Sequence, residues 1–191
     1  MEKMFFSEPQ QRVTVGAYGK VLVLLNERKE KPVGDYMGDD MRDAVVPTEQ
    51  YVYDGCWLDT GGIASEKALL IAAQRDVLSA IEVYDASNSV NAFILDGQRG
   101  WLDKDTRMGL RQNVADRRVL GRESIVIWVD GKPHSMDLDR AEGFLRALEN
   151  YAYACKAVTS EHKAKVAAME TIEEVLGYDY REGYPSIIHN S

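Results

Sequence analysis

The sequence predicts an α+β fold, with amino-terminal β-rich hairpins followed by a helix/hairpin/helix carboxy-terminal domain. Three observations carry this. Apolar residues alternate with period two through much of the first sixty positions. From Ser65 the spacing lengthens to three and four, the period of an amphipathic helix. Farther on, Asp96-Gly97 and Asp130-Gly131 sit between short β-branched runs, the local chemistry of a two-residue hairpin turn. Gly61-Gly62 separates the two regimes, giving an expected division into residues 1–62 and 63–191.

Element by element, Val13, Val15 and Ala17 alternate, then Val21, Val23 and Leu25, with Gly16 and Gly19 as turn residues between them. The polar stretch from Asn26 to Asp43, which holds Pro32, Gly34 and Gly38, reads as a loop. Asp54-Gly55 inside "TEQYVYDGCWLDTGG" predicts a further hairpin. A helix is expected from Ser65, its N-cap, to about Tyr84, with Leu70, Ala73, Val77, Ile81 and Tyr84 on one face.

"VNAFIL" reads as a strand ending at Asp96-Gly97, and a helix starts near Asp105-Thr106. "SIVIWV" and "KPHSMDL" form the next hairpin, after which Asp137 or Asp139 caps a helix. Its stripe is Ala141, Phe144, Leu145, Leu148, Ala152, Cys155 and Val158. Thr159 or Ser160 opens a further helical run, and "TIEE" at Thr171 to Glu174 fits a capping box closed by Gly177.

Composition bounds the function. The chain of 191 residues is 45% hydrophobic and 28% charged, within the range of folded domains. A net charge of −8 argues against general binding to a phosphate backbone, so a nucleic-acid partner is not expected. Arg107, Arg111, Arg117, Arg118 and Arg122 nevertheless gather positive charge in one segment. Cys56 and Cys155 lie far apart, and Cys155 falls on an apolar stripe, so a buried free thiol and a reducing cytoplasm are expected. The sequence shows neither a signal-peptide pattern nor a long apolar run, so no membrane span is expected.

The densest polar stretch, "SVNAFILDGQRGWLDKDTRMGL", raises the question of a calcium loop through Asp96, Asp103 and Asp105. Its spacing does not match the helix–loop–helix calcium motif, and the closing glutamate is missing. Turn chemistry at Asp96-Gly97 and a helix start at Asp105 or Thr106 account for the same residues. His134, His162 and His189 lack a second ligand at metal spacing, and His162 reads as a surface residue in the first turn of its helix. A Cys155–His162 nucleophile pair is separated by two helical turns. No phosphate loop or nucleophile elbow is present, and the carboxylates Asp35, Asp39, Asp40 and Asp43 sit in a polar loop with no unequal environments for acid–base work. Neither a cofactor, a metal nor an enzymatic activity is therefore expected. Tyr178, Tyr180 and Tyr184, beside Arg181 and Pro185, read either as rings folded back on the body or as interface anchors.

An ordered set of pieces resembles a phage and prophage domain family of unknown function, common near tail and tail-fibre genes. The pieces are Ser87-x-x-Val90-Asn91 ending at Asp96-Gly97, the run Trp101-Leu102-Asp103 to Arg107, Leu148-Glu149 with Tyr151-Ala152 and Cys155, and Thr159 with His162-Lys163. Tyr178-Asp179-Tyr180 and Gly183-Tyr184-Pro185 close the set, which spans residues 67–185. The segment "YVYDGCWLDTGG" is similar to the strand piece preceding the domain in longer members.

The resemblance implies a non-enzymatic tail-associated protein, a minor virion component or a tail or fibre assembly factor. Its partners would be tail or fibre proteins, with self-association through the first long helix. Its place would be the host cytoplasm during assembly, and then the virion. The expected interface residues are Trp57, Trp101, Arg107, Arg111, Tyr180 and Tyr184. The alternative is a phage accessory protein that binds a host defence factor or a small signalling molecule, for which a pocket lined by Arg107, Arg111 or His162 would be the mark.

Overall fold

The computed structural model describes residues 1–31 and 49–190. It is an α+β protein whose chain separates into two compact units: residues 1–77 with 168–178, and residues 78–167 with 179–191. The expected boundary at residue 62 therefore falls inside the first unit. The loop expected around Pro32, with its four aspartates, lies outside the described residues from position 32 on.

The first unit holds an antiparallel sheet of β1 (Glu2–Phe6), β2 (Val13–Val15), β3 (Lys20–Glu30) and β4 (Gln50–Asp59), in the order β1-β4-β3-β2. Tyr18 and Gly19, both at positive φ, make the β2–β3 turn. β3 continues through Glu30, so its last five residues are strand where a loop was expected.

The hairpin expected at Asp54-Gly55 is absent. β4 runs straight through it, with Asp54 opposite Lys3 on one side and Leu25 on the other. The reason is tertiary. Between Leu25 and Arg28 strand β3 carries one extra residue, with Asn26 at φ 54°, and Asp54 fastens this bulge. Its carboxylate accepts from Asn26 Nδ2 at 2.9 Å and from Arg28 Nη2 at 3.1 Å. Met4 crosses Gly55: a Cβ there would stand 2.4 Å from Met4 Sδ, so the Met4 side chain would have to shift.

Helix α1 (Glu66–Asp85) starts at Ser65, whose hydroxyl accepts from the Ala68 amide at 3.3 Å. Leu69 and Ala72 are buried along with the expected Ala73 and Ile81. A short helix from Ile172 to Gly177 belongs to the first unit and has the expected capping box, reciprocal bonds between Thr171 and Glu174. Ile172 and Val175 are its buried pair.

The second unit contains β5 (Phe93–Leu95), β6 (Gln98–Gly100), α2 (Lys104–Val119), β7 (Ser124–Val129), β8 (Lys132–Asp137), α3 (Leu138–Ala168) and, after the short helix α4 (Ile172–Gly177), the strand β9 (Ile188–Asn190). Both predicted turns form, with Asp96, Gly97, Asp130 and Gly131 all at positive φ. Strand β5 is shorter than expected, since Val90 and Asn91 lie in turns closed by Ser87. β9 returns to pair with β5 in parallel, giving the order β6-β5-β9.

Asp137 caps α3, accepting from the Arg140 amide at 2.7 Å. The break expected at Thr159 or Ser160 does not occur, and α3 is one helix of 31 residues. The Thr159 hydroxyl stays inside the helix, bonded to the Cys155 carbonyl one turn back and to Asp85 at 2.6 Å. Phe93, Leu95, Ile125, Ile127, Val129, Phe144, Leu145 and Leu148 form the core of the unit. Phe93 meets Phe144 edge-on at 5.1 Å.

Candidate functional site on the second helix

Helix α2 begins at Asp103, one turn earlier in the chain's polar run than Thr106. The Asp103 carboxylate accepts from the Thr106 amide and hydroxyl, each at 2.8 Å. These bonds, the backbone amide first, hold the Asp103 carboxyl below its usual range. The helix carries two apolar stripes. Leu110 and Val114 turn inward to the core, whereas Met108, Ala115 and Val119 are exposed. Met108 is 58% exposed, Val119 88% and the capping Leu120 72%.

Arg111, Gln112 and Arg118 lie among them at three- and four-residue steps, so one continuous outer face combines methyl groups with cations. The face borders a groove of about 700 Å³, closed on one side by Glu142 from α3. Arg118 spans to Asp139 at 2.6 Å and Glu142 at 2.9 Å. Arg111 has no hydrogen bond or ion pair among the described residues. Five basic residues against two acidic ones give α2 a net charge of +3 within a chain of net −8.

Arg107, one turn before Arg111, has the opposite fate. It is only 5% exposed, its Nε donating to Glu149 at 2.8 Å and its Nη1 to the Leu102 carbonyl at 2.7 Å. Its guanidinium also lies 5.3 Å from the Trp101 ring centre, and Trp101 in turn stands edge-on to Tyr151. Arg107 and Trp101, expected at an interface, hold α2 to α3 from within.

Tyr180 and Tyr184 fold back on Tyr84, with ring centres 5.9 and 5.5 Å from it. The Tyr184 hydroxyl bonds Thr159 at 2.9 Å, and burial pushes its phenol up from the ordinary value. His162, expected at the surface, is buried midway along the end of α3, with Nε2 2.9 Å from the Glu182 carbonyl. The helix is unbroken between Cys155 and His162, so the two stay two turns apart. Both cysteines are free, and desolvation raises the thiol pKa of each. Trp57 is exposed on β4 in the first unit. Of the six expected interface residues, Arg111 alone lines the groove.

A second cluster forms at the Asp96 turn. Asp96 accepts from Arg140 at 2.7 Å and lies 3.2 Å from His134 Nδ1, while its amide donates to the Asn190 carbonyl at 2.8 Å. Arg140 first, then His134, holds the Asp96 carboxyl below its usual range. His134 Nε2 is buried without a hydrogen-bond partner among the described residues. The cluster fastens β9. Because the folded pKa of Asp96 is lowered, its contribution is present above the unfolded value of about 3.9 and fades as pH falls through the folded one. Protection of the Ile188–Asn190 amides, relative to their intrinsic exchange rates, should therefore fall below about pH 4, and Asp96→Asn should show lower protection and faster exchange already at neutral pH. Exchange in the variant matching the unaltered chain at pH 7 would refute this.

The outer face of α2 was partly legible in sequence, since Met108, Arg111, Gln112, Ala115 and Val119 share helical spacing. That spacing does not say which of two apolar stripes is buried. No family model matches the chain, and neither a curated protein nor a solved structure matches it.

Proposed function

We propose that this chain is a non-enzymatic phage tail-associated protein that works by docking, as a minor virion component or as an assembly factor for a tail or fibre. Two things support the reading: the likeness of residues 67–185 to the phage domain family, and the outer face of α2. The single observation that carries it is that face, where Met108 and Val119 are exposed beside an arginine with no partner among the described residues. A contiguous apolar surface rimmed by charge is characteristic of a protein contact. On this reading the protein acts in the host cytoplasm during assembly and, as a virion component, in the particle.

Mass spectrometry of purified virions, together with electron microscopy of particles from a deletion phage, tests it. Recovery of the chain in particles, or malformed tails in the deletion, is the expected result. Absence from particles combined with normal particles in the deletion would remove both versions.

The accessory-protein reading draws on the same groove, whose volume of about 700 Å³ suits a small ligand. Arg111 lines that groove, as this reading expects, whereas Arg107 and His162 are buried away from it and Arg118 is already held by two carboxylates.

A further inference from the structure

We infer that the outer face of α2 binds an acidic amphipathic helix of a protein partner. The inference rests on the reading of that face as the docking surface and adds the chemistry of what docks there.

Its basis is a template inside the molecule. At the start of α3, Asp139 and Glu142 are one turn apart and both reach Arg118. A helix that offers carboxylates at this spacing is thus the kind of object an α2 arginine already grips. Arg111 lies two turns before Arg118 on the same face and lacks such a partner among the described residues. Between and around them Met108, Ala115 and Val119 supply methyl groups at three- and four-residue steps, the matching pattern for a helix laid in a groove. Charge complementarity favours an acidic partner because Arg111 is a groove-lining cation with no carboxylate among the described residues, whereas Arg118 is already paired to Asp139 and Glu142. A nucleic acid fits less well. The exposed methyl groups of Met108, Ala115 and Val119 would gain nothing from a phosphate backbone.

The test uses the full chain and three fluorescent probes: a peptide of about four helical turns with leucines at three- and four-residue steps flanked by glutamates, its lysine-for-glutamate counterpart, and a single-stranded DNA oligonucleotide. Anisotropy titrations should show the acidic peptide binding at least about tenfold tighter than either other probe. Arg111→Glu and Val119→Asp should each weaken it by about tenfold or more. Both sites are exposed, and circular dichroism should show them folded. Tyr18→Ser, at an exposed turn of the first unit, should leave affinity unchanged. No binding of the acidic peptide, equal binding of the lysine peptide, tighter binding of DNA, or variants that bind normally would each overturn the inference. So would sedimentation showing that Val119→Asp dissolves a self-associated species that excludes the peptide. Absence of the chain from virions together with normal particles in a deletion phage would sink the phage-tail reading while leaving this binding intact, so the two fail separately.

Discussion

Replacing Arg107 with alanine should lower the stability of the second unit by about 3 kcal/mol. The guanidinium is buried and makes charge-assisted bonds to Glu149 and to the Leu102 carbonyl, while stacking near Trp101. Its removal leaves a carbonyl unpaired at the base of α2 and a void beside the indole. The loss stays below that of a fully buried pair because Glu149 is 37% exposed and can rehydrate. Arg107→Lys should recover only part, since an ammonium cannot bond both partners in the fork geometry. Urea unfolding followed by amide exchange in α3 measures this, and a loss under about 0.5 kcal/mol would refute the buried role. The contrast with Arg111 is informative: Arg111→Glu should leave stability nearly unchanged and act on docking alone.

Phe144→Ala should cost about 4 kcal/mol, the largest single loss expected in this chain. Phe144 is 1% exposed at the centre of the core and meets Phe93 edge-on. Truncation removes the transfer energy of a ring, leaves a cavity that the hairpin strands cannot close, and forfeits a ring pair of about 1 kcal/mol. Phe144→Leu should cost about a third as much, because most of the volume remains. A shift under about 1 kcal/mol for the alanine variant would mean that β5 and α3 do not share a core.

Three Asp-Gly pairs show how far the residues speak for themselves. At 96–97 and 130–131 the pair makes a hairpin turn, as its chemistry predicts. At 54–55 the same pair lies inside β4, because strands on both sides supply ladder partners and Asp54 is drawn into a bulge across the sheet. Thr159 teaches the same lesson: a residue that favours helix starts is held mid-helix by Asp85 and Tyr184. Arg107 and Arg111 belong to one arginine-rich run and one helix, yet one is core and the other surface.

By itself the sequence determined what depends on neighbours a few residues away: the α+β class, the caps at Ser65 and Thr171, two glycine turns, and the stripe of α3. Those features rest on local hydrogen bonds and on side-chain periodicity, which are written into consecutive residues. Tertiary structure alone decided which stripe of α2 is buried, that Arg107 is core and Arg111 surface, and that β9 closes the β5 edge. Each of those outcomes is set by what stands opposite in space, and a linear pattern carries no record of that.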